Sequence, residues 1–155
     1  MKITLILIGE TDDPHLAALM QDYEKRLRRV AQVQVVIRSN KKIKSSLPAD
    51  MCRLEGELVL QAVEAQDQVI LLDNNGQMYS SEGFAEFLQA KMNRSVKNLV
   101  FVVGGAYGFS DEVKRRAQGT FSLSRMTFTH QMVRVIFLEQ LYRAFTILRN
   151  EPYHH

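Results

Sequence analysis

The residues best suited to chemistry begin at Gly104-Gly105-Ala106-Tyr107-Gly108, which follows directly on the apolar run Leu99–Val103 and precedes Ser110-Asp111-Glu112. Three glycines within five residues let a backbone turn sharply and let a ligand approach main-chain atoms with no Cβ in the way. An apolar run without alternation predicts a strand buried on both faces of a parallel sheet. In an open α/β sheet, ligands gather at the carboxyl ends of such strands. A phosphate would need bare N–H groups at a positive helix end. Here Ser110 is a good N-cap, and Asp111 and Glu112 place two carboxylates in the first turn. The spacing also matches neither G-x-G-x-x-G nor G-x-x-x-x-G-K-[ST]. The loop therefore suits a phosphate-free or cationic ligand, with a plain strand-to-helix turn as the simpler alternative.

Other chemistry is sparse. His15 follows Pro14 at a helix start and is expected on the surface, His130 lies in the linker Ser124–His130, and His154 and His155 end the chain after Glu151-Pro152-Tyr153. No H-x-x-x-H or Cys/His spacing points to a metal, so none is expected. No G-x-S-x-G elbow is present. Asp73 precedes the glycine loop by about thirty residues, the wrong order for the ribose-binding acid of a dinucleotide fold. The single cysteine, Cys52, excludes an internal disulfide framework and a cysteine zinc cluster, and suits a reducing cytoplasm. It falls in an expected helix as a bystander thiol. The apolar start Ile3–Ile8 is too short for a secretory signal core or a membrane span. The net charge of +3 is mild, but eight Lys/Arg and no acid lie between Lys25 and Lys44, which suggests a polyanionic partner.

The elements that must position these residues alternate. Strands are expected at Lys2–Ile8, Val33–Ile37, Gln68–Leu72, Leu99–Val103 and Thr120–Leu123. Asp12 or Asp13 with Pro14 opens a helix to about Arg29, and Leu47-Pro48 opens one over Ala49–Ala65. Asp73-Asn74-Asn75-Gly76 is a turn signal that closes the third strand, and Ser80 or Ser81 caps the next helix. A short helix over Asp111–Arg116 and a final one over Gln131–Leu148 complete the set, with Arg38–Ser46 as a polar, basic loop. The order predicts an α/β fold, a mostly parallel sheet with flanking helices, in one domain over residues 1–155. The final helix is apolar nearly all round, from Met132 to Leu148. Such a helix is buried on both sides, which predicts a homodimer with this helix in the interface; burial within one chain is the alternative.

Several ordered motifs together carry a resemblance. They are Leu71-Leu72-Asp73, Phe101-Val-Val-Gly-Gly-x-x-Gly108, Phe121-Ser-Leu-Ser-x-Met-Thr-Phe-x-His-Gln131, Val133-Arg134-Val135, Glu139-Gln-Leu-Tyr-Arg-Ala144 and Asn150-Glu-Pro-Tyr-His154. Over its whole length the chain resembles the RlmH family, the small SPOUT-class methyltransferases of large-subunit ribosomal RNA. The resemblance departs at Ala106 and at Thr129, where the family often has proline.

The resemblance implies an α/β fold with a C-terminal trefoil knot and a homodimer. It also implies S-adenosylmethionine as methyl donor and N3 of a pseudouridine in the helix 69 region of 23S ribosomal RNA as acceptor, in the cytoplasm. By position it implies that Leu72, Gly104, Gly105, Gly108, Leu123, Ser124, Arg125, Met126, Thr127 and Phe128 line the donor site. His130, Tyr153 and His154 become candidates for handling the N3 proton, and Arg143 for a phosphate or uracil oxygen. The tail of one subunit would complete the pocket of the other, and the basic residues from Arg26 to Lys44 would meet RNA backbone. Methylation of another RNA site, or a non-enzymatic RNA-binding or ribosome-binding module, are the alternatives; a flavodoxin-like nucleotide binder is disfavoured by Asp111 and Glu112.

Overall fold

The computed structural model describes residues 1–153. His154 and His155, and the expectation attached to His154, lie outside the described residues. Five strands and five helices alternate: β1 (Lys2–Ile8), α1 (Pro14–Leu27), β2 (Gln32–Arg38), α2 (Pro48–Leu60), β3 (Gln68–Met78), α3 (Ser81–Asn93), β4 (Asn98–Val103), α4 (Asp111–Arg116), β5 (Gly119–Ser122) and α5 (Met132–Leu148). The strands form one sheet in the order β2-β1-β4-β3-β5, and all four pairings are parallel.

Helices cover both faces, which is why the central strands carry no polar alternation. Ile3, Leu5 and Leu7 of β1 and Leu99, Phe101 and Val103 of β4 point into one core with Phe84, Leu88, Phe137, Leu138 and Leu141. The intervening Ile6, Ile8, Val100 and Val102 enter a second core with Val59, Leu71, Phe109 and Val113. Helices α1, α3 and α5 therefore lie on the first face, and α2 and α4 on the other. An aromatic cluster centres the larger core, where Phe84 stacks on Phe121 at 4.9 Å and Phe101 meets Phe137 at 4.8 Å.

Local chemistry explains the helix starts. Asp13 caps α1, its Oδ1 accepting from the backbone N–H groups of His15 and Leu16. Ser80 caps α3 and Ser110 caps α4 in the same way. Helix α2 starts on Pro48 without a side-chain cap and ends at Leu60, earlier than the expected Ala65.

One expectation changes. Asp73–Gly76 does not end the third strand. The turn chemistry is present, since Asp73 Oδ1 accepts from the Asn75 N–H at 2.8 Å, but it acts as an irregularity inside β3. The strand pairs β5 through Leu72, shifts register, and resumes at Gln77 opposite Phe121. Gly76 lies so close to this crossing that a Cβ would fall 2.6 Å from Phe121 backbone atoms. The apolar character of α5 is explained in part within the chain. It packs between α1 and α3 and buries Val135, Phe137, Leu138, Leu141, Ala144, Phe145 and Thr146. Met132 stays exposed, and Val133, Ile136, Tyr142, Ile147 and Leu148 are half-buried. Among the described residues, no helix is long and apolar enough to cross a membrane.

Because Gly76 tolerates no side chain against the Phe121 backbone, Gly76→Ala is expected to lower stability by about 1–3 kcal/mol in urea denaturation. An unchanged midpoint would show that the crossing is looser than this geometry.

Candidate active site

The carboxyl ends of β1, β3 and β4 meet at one edge of the sheet, and the glycine loop rises from the end of β4. Gly108 adopts φ +78°, a conformation that favours glycine, with nothing near its Cβ position. Its N–H donates to the Gly105 carbonyl at 3.3 Å, closing the loop on itself. At Gly104 a Cβ would sit 3.0 Å from the Phe109 ring and 3.2 Å from the Gly108 carbonyl. At Gly104, Gly105 and Gly108 the loop therefore presents main chain, while the Tyr107 side chain is exposed. Beyond it, Ser110 Oγ accepts from the Val113 N–H at 3.4 Å. The Glu112 carboxyl is held below its ordinary pKa by hydrogen bonds at the start of α4, to its own backbone N–H and to Ser110.

Two clefts flank this loop. The larger, about 590 Å³, is lined by Leu72–Asn75, by Val103–Ala106 with Gly108 and Phe109, and by Thr127–His130 with Val133. A small extension of about 30 Å³ reaches Phe121, Leu123, Ser124 and Met126. The structure thus gathers nine of the ten expected lining residues; Arg125 is exposed and lines neither space. On the other side of the loop is a cleft of about 270 Å³ bordered by Gly9, Glu10, Asp12, Asn40, Lys41, Glu55, Gly105, Tyr107 and His130. His130 borders both spaces.

The segment carrying His130 is held by polar contacts that the sequence pattern did not single out. Ser122 Oγ donates to the Ser124 carbonyl at 2.9 Å, and Ser124 Oγ accepts from the Met126 N–H at 2.9 Å. Thr129 Oγ1 accepts from the Met132 N–H at 3.2 Å, so this threonine satisfies a helix-start donor as no proline side chain can. Gln131 Oε1 accepts from the N–H groups of Asp12 and Asp13 at 3.1 and 3.2 Å. Arg134 is wholly buried. Its Nη2 donates to the Ile8 carbonyl at 2.7 Å, and its Nη1 to the Gly9 carbonyl at 3.1 Å and Thr11 Oγ1 at 2.8 Å. Burial pushes the Arg134 pKa down, while Asp12 and Glu10 favour its charged form. The one available signal was an arginine inside the apolar run Met132–Leu138.

Arg143 and Tyr153 stand elsewhere. Glu139 Oε1 accepts from Arg143 Nη2 at 2.6 Å, from Arg143 Nε at 3.1 Å and from the Tyr153 hydroxyl at 3.3 Å. The guanidinium lies 4.8 Å over the Tyr153 ring. Burial, with Tyr23 and Glu139 nearby, holds the Tyr153 hydroxyl well above its ordinary pKa. Neither Arg143 nor Tyr153 borders the two clefts of its own chain. His15 is exposed, and Cys52 is half-buried with its thiol pKa pushed up by burial. The basic stretch is less uniform than a window from Lys25 suggests. Asp22 pairs with Arg26 at 2.8 Å and Glu24 with Arg28 at 3.6 Å, one helical turn upstream, whereas Lys41, Lys42 and Lys44 make no ion pair among the described residues.

With this geometry in view, comparison with known proteins is informative. A family model described as "Predicted SPOUT methyltransferase" matches residues 1–154. The chain is 54% identical to a protein of Flavobacterium johnsoniae named "Ribosomal RNA large subunit methyltransferase H", covering 100% of this chain and 99% of that one. Proteins of the same name from Christiangramia forsetii and Bacteroides thetaiotaomicron are 51% and 44% identical over the same shares.

Arg134 satisfies two buried carbonyls that have no water to turn to. Arg134→Met is expected to lower stability by about 3 kcal/mol in urea denaturation at neutral pH. A loss below about 1 kcal/mol would mean that the β1 carbonyls find other partners.

Proposed function

The chain belongs to the SPOUT methyltransferase family, and from that membership we propose that it methylates large-subunit ribosomal RNA, with S-adenosylmethionine as donor and N3 of a pseudouridine as acceptor. The observation that carries this reading is the larger cleft, a main-chain cradle at Gly104–Gly108 facing Thr127–His130.

The residues present fit the donor. The cleft's size falls within the range of roughly 300–1,000 Å³ usual for small-molecule sites. Its border holds no lysine or arginine, and Asp73 is its one carboxylate, so a sulfonium cation meets no like charge. When bound, S-adenosylmethionine supplies an electrophilic methyl group on sulfur. The backbone of Gly104–Gly108 and of the 127–130 segment would hold it, with Leu72, Val103 and Phe128 supplying apolar contact.

A uracil-type N3 carries a proton at neutral pH, so it becomes a good nucleophile only as that proton leaves or as the deprotonated edge is stabilised. His130 is placed at the rim shared by both clefts and is the group of this chain best sited for that role. Holding acceptor and donor in register would supply much of the acceleration. Tyr153 and Arg143 are held by Glu139, away from the clefts of their own chain. Their proposed contribution, with that of His154, is therefore to the site of a second copy, the acceptor being completed across a homodimer. The half-buried Ile136, Tyr142 and Leu148 of α5 offer that copy apolar surface. Lys41, Lys42 and Lys44 are proposed to meet RNA backbone. The C-terminal trefoil knot, the helix 69 region of 23S RNA and a cytoplasmic setting complete the reading.

Calorimetry tests it. Micromolar binding of S-adenosylmethionine or its demethylated product is expected, with none of FMN or NAD. His130→Ala is expected to lower turnover at least tenfold while donor affinity stays within about threefold. Absence of donor binding by the unaltered protein would sink the methyltransferase reading and leave an RNA-binding module.

A further inference from the structure

The second cleft has a floor that the donor site does not explain. Glu55 of α2 is only 4% exposed. Its Oε1 accepts a hydrogen bond from Asn40 Nδ2 at 2.7 Å. Its Oε2 is buried with no hydrogen-bond partner among the described residues. That oxygen occupies the space in which residue 105 would carry its Cβ.

The two neighbouring glycines are thereby distinguished. Gly108 has a positive φ and open space at its Cβ position, so its backbone conformation calls for glycine. Gly105 has no positive φ; a side chain there is excluded by Glu55 instead. A buried carboxyl oxygen with no partner is costly, and an apolar side chain of similar size would fill the same volume without that cost. Asn40 is itself seated on the end of β1, since a Cβ at Gly9 would lie 3.0 Å from Asn40 Oδ1. The ends of β1, β2 and β4 thus converge on one carboxyl group.

We propose that Glu55 is a positioning residue for the donor loop: its carboxyl group supports Gly105 from beneath and sets the loop's height, and Asn40 fixes the orientation of that carboxyl group. The proposal rests on reading the larger cleft as the donor site. It gives the polar segment after β2 a direct mechanical link to the glycine loop, with Lys41 adjacent to Asn40 in sequence.

A double-mutant cycle read by calorimetry with S-adenosylhomocysteine tests it. Gly105→Ala should weaken binding about tenfold in the unaltered protein, and the added methyl should cost at most about threefold when Glu55→Ala has made room for it. Glu55→Gln, which keeps the shape, should bind within about threefold of the unaltered protein. Asn40→Ala, a milder change at a half-buried position, should weaken binding severalfold. Equal losses from Gly105→Ala in both backgrounds, or unchanged binding by Asn40→Ala, would overturn the proposal while leaving the donor site standing. Failure of the unaltered protein to bind S-adenosylhomocysteine would overturn both.

Discussion

A guanidinium without solvent contact sits where β1 ends, and the active edge of the molecule is arranged around it. Beyond the last pairing of β1 with β4, at Leu7 and Val103, the carbonyls of Ile8 and Gly9 take their donors from Arg134. Burial of a charge this deep is unfavourable unless its hydrogen bonds are made. Two backbone carbonyls and Thr11 accept from its Nη1 and Nη2, its Nε is buried without a partner among the described residues, and Glu10 and Asp12 favour the charge. The consequence is positional. Arg134 is the third residue of α5, so anchoring it fixes where that helix starts, and with it Gln131 and His130. Helix α5 is thereby tied to the first strand, 126 residues away at Ile8.

The sheet supplies the rigid platform. Because β1 and β4 are covered on both faces, successive side chains enter opposite cores, and neither strand can slip by one residue without exchanging them. The glycine loop therefore leaves β4 from a fixed point. The 123–131 segment, by contrast, is held by hydroxyl groups and short turns rather than by ladder bonds.

Much of this was legible in the sequence, for identifiable reasons. Strong periodicities and cap residues marked the elements: continuous apolar runs for β1 and β4, and Asp12 or Asp13, Ser80 or Ser81, and Ser110 for helix starts, of which the structure uses Asp13, Ser80 and Ser110. The glycine loop was legible as a sharp turn at the end of β4, where the larger cleft lies. The misreading came where long-range contacts overrule a local signal. Asp73-Asn74-Asn75-Gly76 has the composition of a terminating turn, yet β5 reaches past it and pairs again at Gln77 and Met78. Apolarity around α5 marked burial on both sides, and α1 and α3 supply part of it within the chain. The contacts of Asn40 and Glu55 were invisible because a polar residue in a loop or helix looks the same whether it faces water or a buried partner. Only Arg134 left a trace, as a charge inside an apolar stretch.

The central claim is that the cradle between Gly104 and His130 serves methyl transfer to ribosomal RNA. Its most direct test is to incubate the purified protein with S-adenosylmethionine carrying an isotopically labelled methyl group and with ribosomes from cells lacking the gene, then digest the RNA and identify the labelled nucleoside by mass spectrometry. Label in a single large-subunit nucleoside, N3-methylpseudouridine, is the expected result. Donor binding with no label in RNA, or label on a different base, would contradict it.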